Sequence, residues 1–316
     1  MSFALRLSVA AIALLLAGCG GGSGGADRPA RIAIDFTPNA VHAPIYAAKR
    51  LGLDRKHGID LQIRGPGGSP DSLKLLLSGK VDMAVMDIHD LGLAVEKGSD
   101  VVGVGALVKR PLAAIITPPD VKRPRDLEGR RVGVSGLPSD PAVLKPVIQS
   151  DGGDFSKLRL VTIGFSAVPS LLTHKVDGVP AFWNVEGVLL KQRGFNPNEF
   201  RLDDYGAPPY PEVVLAVRRA TLDKDRALVE DMLAAFADGS RAVLHDPGAA
   251  ATDVARAAGA DLALIDAQLR ALRPVVNPSL RLDRGVLDRW AAFDARFGIL
   301  KKRPDVGATF DLTAAP

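Results

Sequence analysis

From Arg31 onward, short β-rich runs alternate with stretches whose apolar residues recur every three or four positions. That alternation predicts an α/β architecture. Arg31 to Phe36 (RIAIDF), Asp60 to Arg64, Val81 to Met86, Val101 to Val108 and Leu112 to Thr117 read as strands. Between them the pattern predicts a helix over Val41 to Leu51, a second beginning at Ser69-Pro70-Asp71 and stopping at Gly79, and a third over Ile88 to Glu96. Pro at the first helical position and a polar cap before it suit the second of these.

A second unit of the same kind follows Pro118-Pro119. Its strands are Arg131 to Ser135, Leu158 to Gly164 and Asp177 to Phe182, and its helices are Pro141 to Ser150, Pro169 to Lys175 and Val185 to Arg193. Phe200 to Asp204 is a last extended piece, and Glu212 to Arg219 a return strand. The remainder is helical: Asp223 to His245, Gly248 to Ala258, Leu262 to Leu272 and Gly285 to Phe297. Two β-α-β-α units, a return strand and a helical tail predict a bilobed receptor. Residues 30–117 plus 206–316 would form one lobe and 118–205 the other, with crossings near Thr117 and near Gly206-Ala207-Pro208. Ligands of open α/β sheets sit beyond the carboxyl ends of the strands, so the site is expected in the cleft between lobes, which would close by a hinge motion.

The N-terminus follows another pattern. After Arg6, Leu7 to Leu16 is an apolar run interrupted only by Ser8, and Leu16-Ala17-Gly18-Cys19 follows. The run is far shorter than the roughly 20 residues of a spanning helix, so 1–18 reads as a signal peptide. Leu-Ala-Gly-Cys resembles the bacterial lipobox. That resemblance implies acylation of Cys19 and a lipid anchor on the extracytoplasmic face of the cell membrane. Gly20 to Gly25 then read as part of a flexible tether over 19–29. No strand precedes these glycines, which argues against a phosphate-cradling loop.

Composition narrows the function. Of 316 residues, 47% are hydrophobic and 24% charged, as in a soluble globular protein. The net charge of +4 is a small excess over many balanced charges with no dense basic run, so a nucleic-acid partner is not expected. Cys19 is the only cysteine, which excludes disulfides and thiolate metal clusters in the folded part, and the five histidines are scattered. No GxSxG, HExxH or EF-hand pattern occurs. No cofactor, metal or catalytic residue is expected.

Phe36-Thr37-Pro38-Asn39-Ala40-Val41-His42, followed by Gly52-Leu53, resembles the opening of the NMT1/THI5-like (ThiY-like) solute-binding proteins. Ser78-Gly79-Lys80-Val81-Asp82, Asp126-Leu127-Glu128-Gly129, Val176-Asp177-Gly178, Phe182-Trp183-Asn184-Val185-Glu186-Gly187 and Tyr205-Gly206-Ala207-Pro208-Pro209-Tyr210-Pro211-Glu212 are similar to later signatures of that family. The resemblance covers about residues 31–219. It implies a type II-like periplasmic-binding-protein fold and a monomeric substrate-binding component of an ABC importer, working with a permease and an ATPase. The expected ligand is an aminopyrimidine thiamine precursor or a related heterocycle; some relatives take riboflavin. Yeast relatives make the pyrimidine and carry a cysteine-rich iron-binding motif, which has no counterpart here after Cys19. A receptor for aliphatic sulfonate, taurine or nitrate is the alternative, and it would need cationic groups or free N–H donors.

Candidate ligand-binding residues stand at the ends of the expected strands. Phe36, where the family often has Trp, and Trp183 would stack on a flat ring. Asn39 and His42 can both donate and accept, though Asn39 could equally cap the following helix. Asp87 reads either as an acceptor for an exocyclic amine or as the cap of the helix beginning at Ile88; His89 and Asp90 read as helix surface. Ser135 could present backbone N–H groups. Asn184 belongs to the signature that holds Trp183 and Glu186. Glu186, in the first turn of a helix, would accept from ring amines. Tyr210, beside the second crossing, could line the cleft.

Overall fold

The computed structural model describes residues 27–66 and 71–316. The signal segment, Cys19, the glycine tether and the helix start at Ser69-Pro70 lie outside the described residues. Ten strands form: β1 (Arg28–Ala33), β2 (Ile59–Arg64), β3 (Met83–Asp87), β4 (Val101–Ala106), β5 (Ala113–Thr117), β6 (Arg131–Val134), β7 (Arg159–Thr162), β8 (Val179–Phe182), β9 (Asn198–Arg201) and β10 (Val213–Arg218).

The first sheet has the order β2-β1-β3-β10-β4. Its inner strands are apolar on both faces, as expected where helices cover a sheet from both sides: Met83 to Met86 and Val213 to Val217 are all buried. The second lobe holds β8-β5-β9 and the pair β6-β7. A parallel bridge between Val132 and Gly178, with Gly133 N–H donating to Gly178 O at 2.9 Å, joins the two pieces into the row β7-β6-β8-β5-β9. The lobes therefore share one strand order. In each, the antiparallel member (β10 or β5) enters straight from a crossing between the lobes. This internal relationship is invisible in the sequence because the side chains of the two lobes differ while the hydrogen-bonded order is the same.

Several boundaries differ from the sequence pattern. The first crossing lies before Ala113 rather than near Thr117, because β5 pairs with β8 and β9 of the second lobe. β1 runs from Arg28 to Ala33 rather than from Arg31 to Phe36, because its parallel register with β2 pairs Arg28 with Ile59. Asp35 and Phe36 therefore stand in the loop beyond the strand. The helix expected over 223–245 is broken at Asp225 into Arg219–Lys224 and Arg226–His245, and the Asp225 side chain caps the second piece. That longer helix crosses Ala43–Arg50 so closely that a Cβ on Gly239 would lie 2.1 Å from Pro44 O, so only glycine fits there.

Candidate functional site

A cavity of about 450 Å³ opens between the two sheets, beyond the carboxyl ends of β1, β3, β6 and β8. Its walls come from both lobes and from the crossings, and each element delivers its side chains for a local reason.

The loop after β1 supplies Asp35, Phe36, Asn39 and His42. Asn39 Oδ1 accepts from Val41 N–H at 2.9 Å, and Nδ2 donates to Thr37 O at 3.0 Å, so this side chain caps the turn at Ala40–His42. His42 is 1% exposed, and both its nitrogens are committed: Nδ1 accepts from Asn39 N–H at 3.2 Å, and Nε2 lies 2.8 Å from Asp35 Oδ1. With Nδ1 an acceptor, Nε2 carries the proton and donates to Asp35. His42 therefore orients Asp35 and has no nitrogen left for a ligand edge.

The end of β3 gives Met86 and Asp87, and the helix Ile88–Glu96 adds Asp90. Asp87 is both things the sequence allowed. Its Oδ1 caps the helix, accepting from His89 N–H at 2.7 Å, while the residue lines the cavity. His89 and Asp90 are not helix surface. His89 is fully buried behind the wall, with Nδ1 2.8 Å from Asp294 Oδ2 and Nε2 2.9 Å from the Tyr210 hydroxyl. Asp90 faces the second lobe and accepts from Ser139 N–H at 3.1 Å and Ser139 Oγ–H at 3.0 Å.

In the second lobe, the turn after β6 places Ser135 on the wall, but its polar groups serve Asp140. Ser135 N–H and Oγ–H donate to Asp140 Oδ1 at 3.1 and 2.9 Å, and Gly136 N–H donates to Oδ2 at 2.8 Å. Phe165, after β7, meets Phe36 edge to face with ring centroids 4.4 Å apart. Phe182 at the end of β8 and Glu186 in the first turn of the following helix complete that side. Glu186 Oε2 accepts from Phe182 N–H at 3.0 Å.

The floor is the crossing itself. Glu212 is fully buried, lines the cavity and accepts through Oε2 from Leu112 N–H and from Ala113 N–H, the latter at 2.8 Å. It thus ties the returning chain to the outgoing one.

Burial sets the charges. Burial pushes Glu186 up to about 7, against the backbone amides of Glu186 itself and of Phe182. Burial likewise lifts Asp87, Asp90 and Glu212 to about 7; Glu212 adds to the rise of Asp87, Asp87 adds to that of Asp90, and His89 opposes all three. For His89 itself burial favours the neutral ring, but Asp294 beside it outweighs this, and the imidazole is pushed up to about 9.

Of the nine ligand-binding residues expected from the sequence, Phe36, Asn39, His42, Asp87, Ser135 and Glu186 line the cavity. Trp183, Asn184 and Tyr210 do not. Trp183 turns away from it, donating its indole N–H to Pro111 O at 3.4 Å under the Arg201 guanidinium, 4.3 Å from the ring centroid. The strand ends at Phe182, and Trp183 stands in the turn beyond it. Asn184 is fully buried, and neither its amide oxygen nor its nitrogen has a partner. Tyr210 is fully buried against His89, ring centroids 5.2 Å apart. The wall residues not expected are Asp35, Asp90, Asp140, Phe165, Phe182 and Glu212. Asp35 and Phe182 had a signal in the sequence, as neighbours of Phe36 and Trp183, and Glu212 ended the signature that begins at Tyr205.

Two α/β lobes of identical strand order, with the cavity at the crossings, define a bilobed periplasmic-binding-protein fold. The aliphatic sulphonate binding protein of Escherichia coli has the same fold, with a TM-score of 0.71 at 17% identity over 89% of this chain and 97% of that one. The NMT1/THI5-like family model matches residues 39–250, and the chain belongs to that family. It is 32% identical over 208 residues to a formylaminopyrimidine-binding protein of Halalkalibacterium halodurans, and 32% identical over 194 residues to a putative thiamine biosynthesis protein of Haemophilus influenzae. Those segments cover 65% and 60% of this chain and span 62% and 61% of the relatives' own lengths.

Proposed function

We propose that this chain is the lipid-anchored, extracytoplasmic substrate-binding component of an ABC importer, and that its cleft captures an aminopyrimidine thiamine precursor or a related amine-bearing heterocycle. One observation carries the ligand class. Asp35, Asp87, Glu186 and Glu212 all line one cavity, and each holds one oxygen to a protein donor while no other described residue donates to the second. Fixed carboxylates with a spare oxygen are acceptors for ring and exocyclic amines. They are poor company for a sulfonate or nitrate, which needs cations or free N–H donors. Phe36, Phe165 and Phe182 provide flat apolar surface for the ring. The likeness to a formylaminopyrimidine-binding protein points the same way, and the Leu16-Ala17-Gly18-Cys19 segment supports the anchor. The chemistry is read as capture rather than turnover, in line with the likeness to a formylaminopyrimidine-binding protein.

A calorimetric screen of aminopyrimidines, thiamine, riboflavin, taurine and nitrate tests this. An aminopyrimidine should bind most tightly. Tight taurine binding with no heterocycle binding would overturn the ligand class.

A further inference from the structure

The cavity has a charge imbalance that an amine-bearing ring alone does not correct. On its wall, Asp35 gives Oδ1 to His42, Asp87 gives Oδ1 to the helix it caps, Glu186 gives Oε2 to Phe182 N–H, and Glu212 gives Oε2 to Leu112 and Ala113. Among the described residues no other residue donates to their second oxygens, and Glu212 Oε1 is buried as well. Asp90 and Asp140 add two more acids, saturated by Ser139 and by Ser135 with Gly136.

The opposing cations are few. Lys74 and Lys97 line the opening, the Lys74 side chain being 82% exposed beside Asp71. His42 has both nitrogens committed, to Asn39 N–H and to Asp35. His89 faces Asp87 and Glu212 from behind, but it is already paired with Asp294 and Tyr210. Arg110, beside the crossing, is paired with Asp203. No arginine is on the wall among the described residues. Two like charges about 5 Å apart repel by about 3 kcal/mol at an effective dielectric of 20. Asp87 is repelled by Glu212 and in turn repels Asp90, so ionising these acids together is disfavoured unless something positive enters.

We infer that the bound ligand is a cation: a planar ring whose positive charge is spread amidinium-fashion over a ring nitrogen and its exocyclic amine, held by the spare oxygens of Asp35, Asp87, Glu186 and Glu212. This rests on the heterocycle reading above and narrows it to a charge state. An amidinium offers parallel N–H donors that match carboxylate oxygens, and charge-assisted bonds of that kind are about twice as strong as neutral ones. A ring that arrives neutral takes its proton from a wall carboxyl that still holds one; at pH 8.5, where the wall carboxyls have released theirs, the proton comes from solution and is read as uptake. In the first case the balance is internal. The O–H bond breaks, an N–H bond forms, and carboxylate and cation are left paired with no change in total charge.

The test is calorimetry on the whole protein with benzamidine, benzamide and 4-amino-2-methylpyrimidine. Benzamidine and benzamide share size and shape but differ in charge. Benzamidine should bind at least about tenfold tighter than benzamide at pH 8, and its affinity should rise from pH 5.5 to 8.5 as the wall carboxyls lose the protons it must displace. The aminopyrimidine, neutral in solution at pH 8.5, should bind there with uptake of a proton, read from the dependence of the heat on buffer ionisation enthalpy. Glu212→Gln should shrink the benzamidine preference. Equal affinity for benzamidine and benzamide, or aminopyrimidine binding without proton uptake, overturns the inference and leaves the heterocycle reading standing. A sulfonate binding where no ring does overturns both.

Discussion

Phe36 and Phe165 touch across the cleft, one from each lobe, with their ring centroids 4.4 Å apart and their planes at 63°. Two rings this close leave no room for a third between them, because stacked rings need about 3.5 Å each. On the proposed function, a flat ligand would lie beside the pair, with Phe165 against it. Phe165→Ala should weaken binding about 3- to 10-fold, the worth of one aromatic contact of about 0.5–1.5 kcal/mol. Stopped-flow kinetics should place most of the loss in faster dissociation. An unchanged dissociation rate would remove Phe165 from the mouth.

Glu186 offers a sharper substitution. Gln keeps the length of the side chain and an oxygen that can accept from Phe182 N–H, so the fold is preserved while the charge is lost. A hydrogen bond to a charged group is worth about 1.5–3 kcal/mol, so Glu186→Gln should raise the Kd of an aminopyrimidine by about 10- to 150-fold. Titration calorimetry reads this directly. Wild-type affinity in the variant would place Glu186 outside the ligand's reach.

The cleft acids also set the pH dependence of stability in the unliganded protein. Asp87, Asp90, Glu186 and Glu212 are pushed up to about 7 by burial, above their usual carboxylate range. Between roughly pH 4.5 and 7 the folded chain thus holds protons that the unfolded chain has released, and stability falls as pH rises. His89, pushed up to about 9 in its pair with Asp294, adds a contribution that is complete below about pH 6.5 and is lost as pH rises toward 9. Both effects have the same sign. The unliganded protein should melt at least about 5 °C higher at pH 5.5 than at pH 8.5, and a saturating cationic ligand should narrow the gap. Scanning calorimetry with and without benzamidine checks both. A higher melting temperature at pH 8.5 would show that the wall acids are ionised in the free protein.

How much of the site could be read in the sequence depended on whether a residue's neighbours lie close in the chain. Asn39 and Glu186 stand next to helix starts, and Asp87 ends a strand; local pattern was enough to place all three on the wall. Phe165, Asp90 and Glu212 were not legible as wall residues, because each becomes one only through the other lobe or the other crossing: Phe165 against Phe36, Asp90 against Ser139, Glu212 against Leu112. Trp183 was misplaced for the opposite reason. Its motif was plain, but in the turn beyond β8 Trp183 packs toward Pro111 and Arg201 while Phe182 stays on the wall. The fold class was clear from the alternation of periods, while the common strand order of the lobes emerged only from hydrogen bonds such as that between Gly133 and Gly178.

The proposed anchor is tested by localisation. Cys19→Ser removes the only thiol in the chain. Expressed in a bacterial host with its leader, the variant should leave the membrane fraction and lose metabolic labelling by palmitate. A labelled or membrane-bound variant would rule out Cys19 as the site of acylation.

Asp90 and Ser139 form the polar counterpart of the aromatic pair at the mouth. Asp90 on the first lobe accepts both the backbone N–H and the hydroxyl of Ser139 on the second, at 3.1 and 3.0 Å. Both residues line the cavity, so this contact holds the lobes together where the ligand enters. Opening the cleft must break it. Ser139→Ala removes only the hydroxyl bond and leaves the backbone one. The cost to the closed state should be about 1.5–3 kcal/mol, the usual range for a hydrogen bond to a charged acceptor. The variant should therefore populate an open form. Small-angle scattering should show a larger radius of gyration without ligand, and Trp183, packed at the crossing against Pro111, should report the change through its fluorescence. Ligand affinity should fall about tenfold or more, because part of the binding energy must now close the lobes. Identical scattering curves for variant and wild type would mean that Phe36, Phe165 and the Glu212 crossing hold the lobes together without this bond.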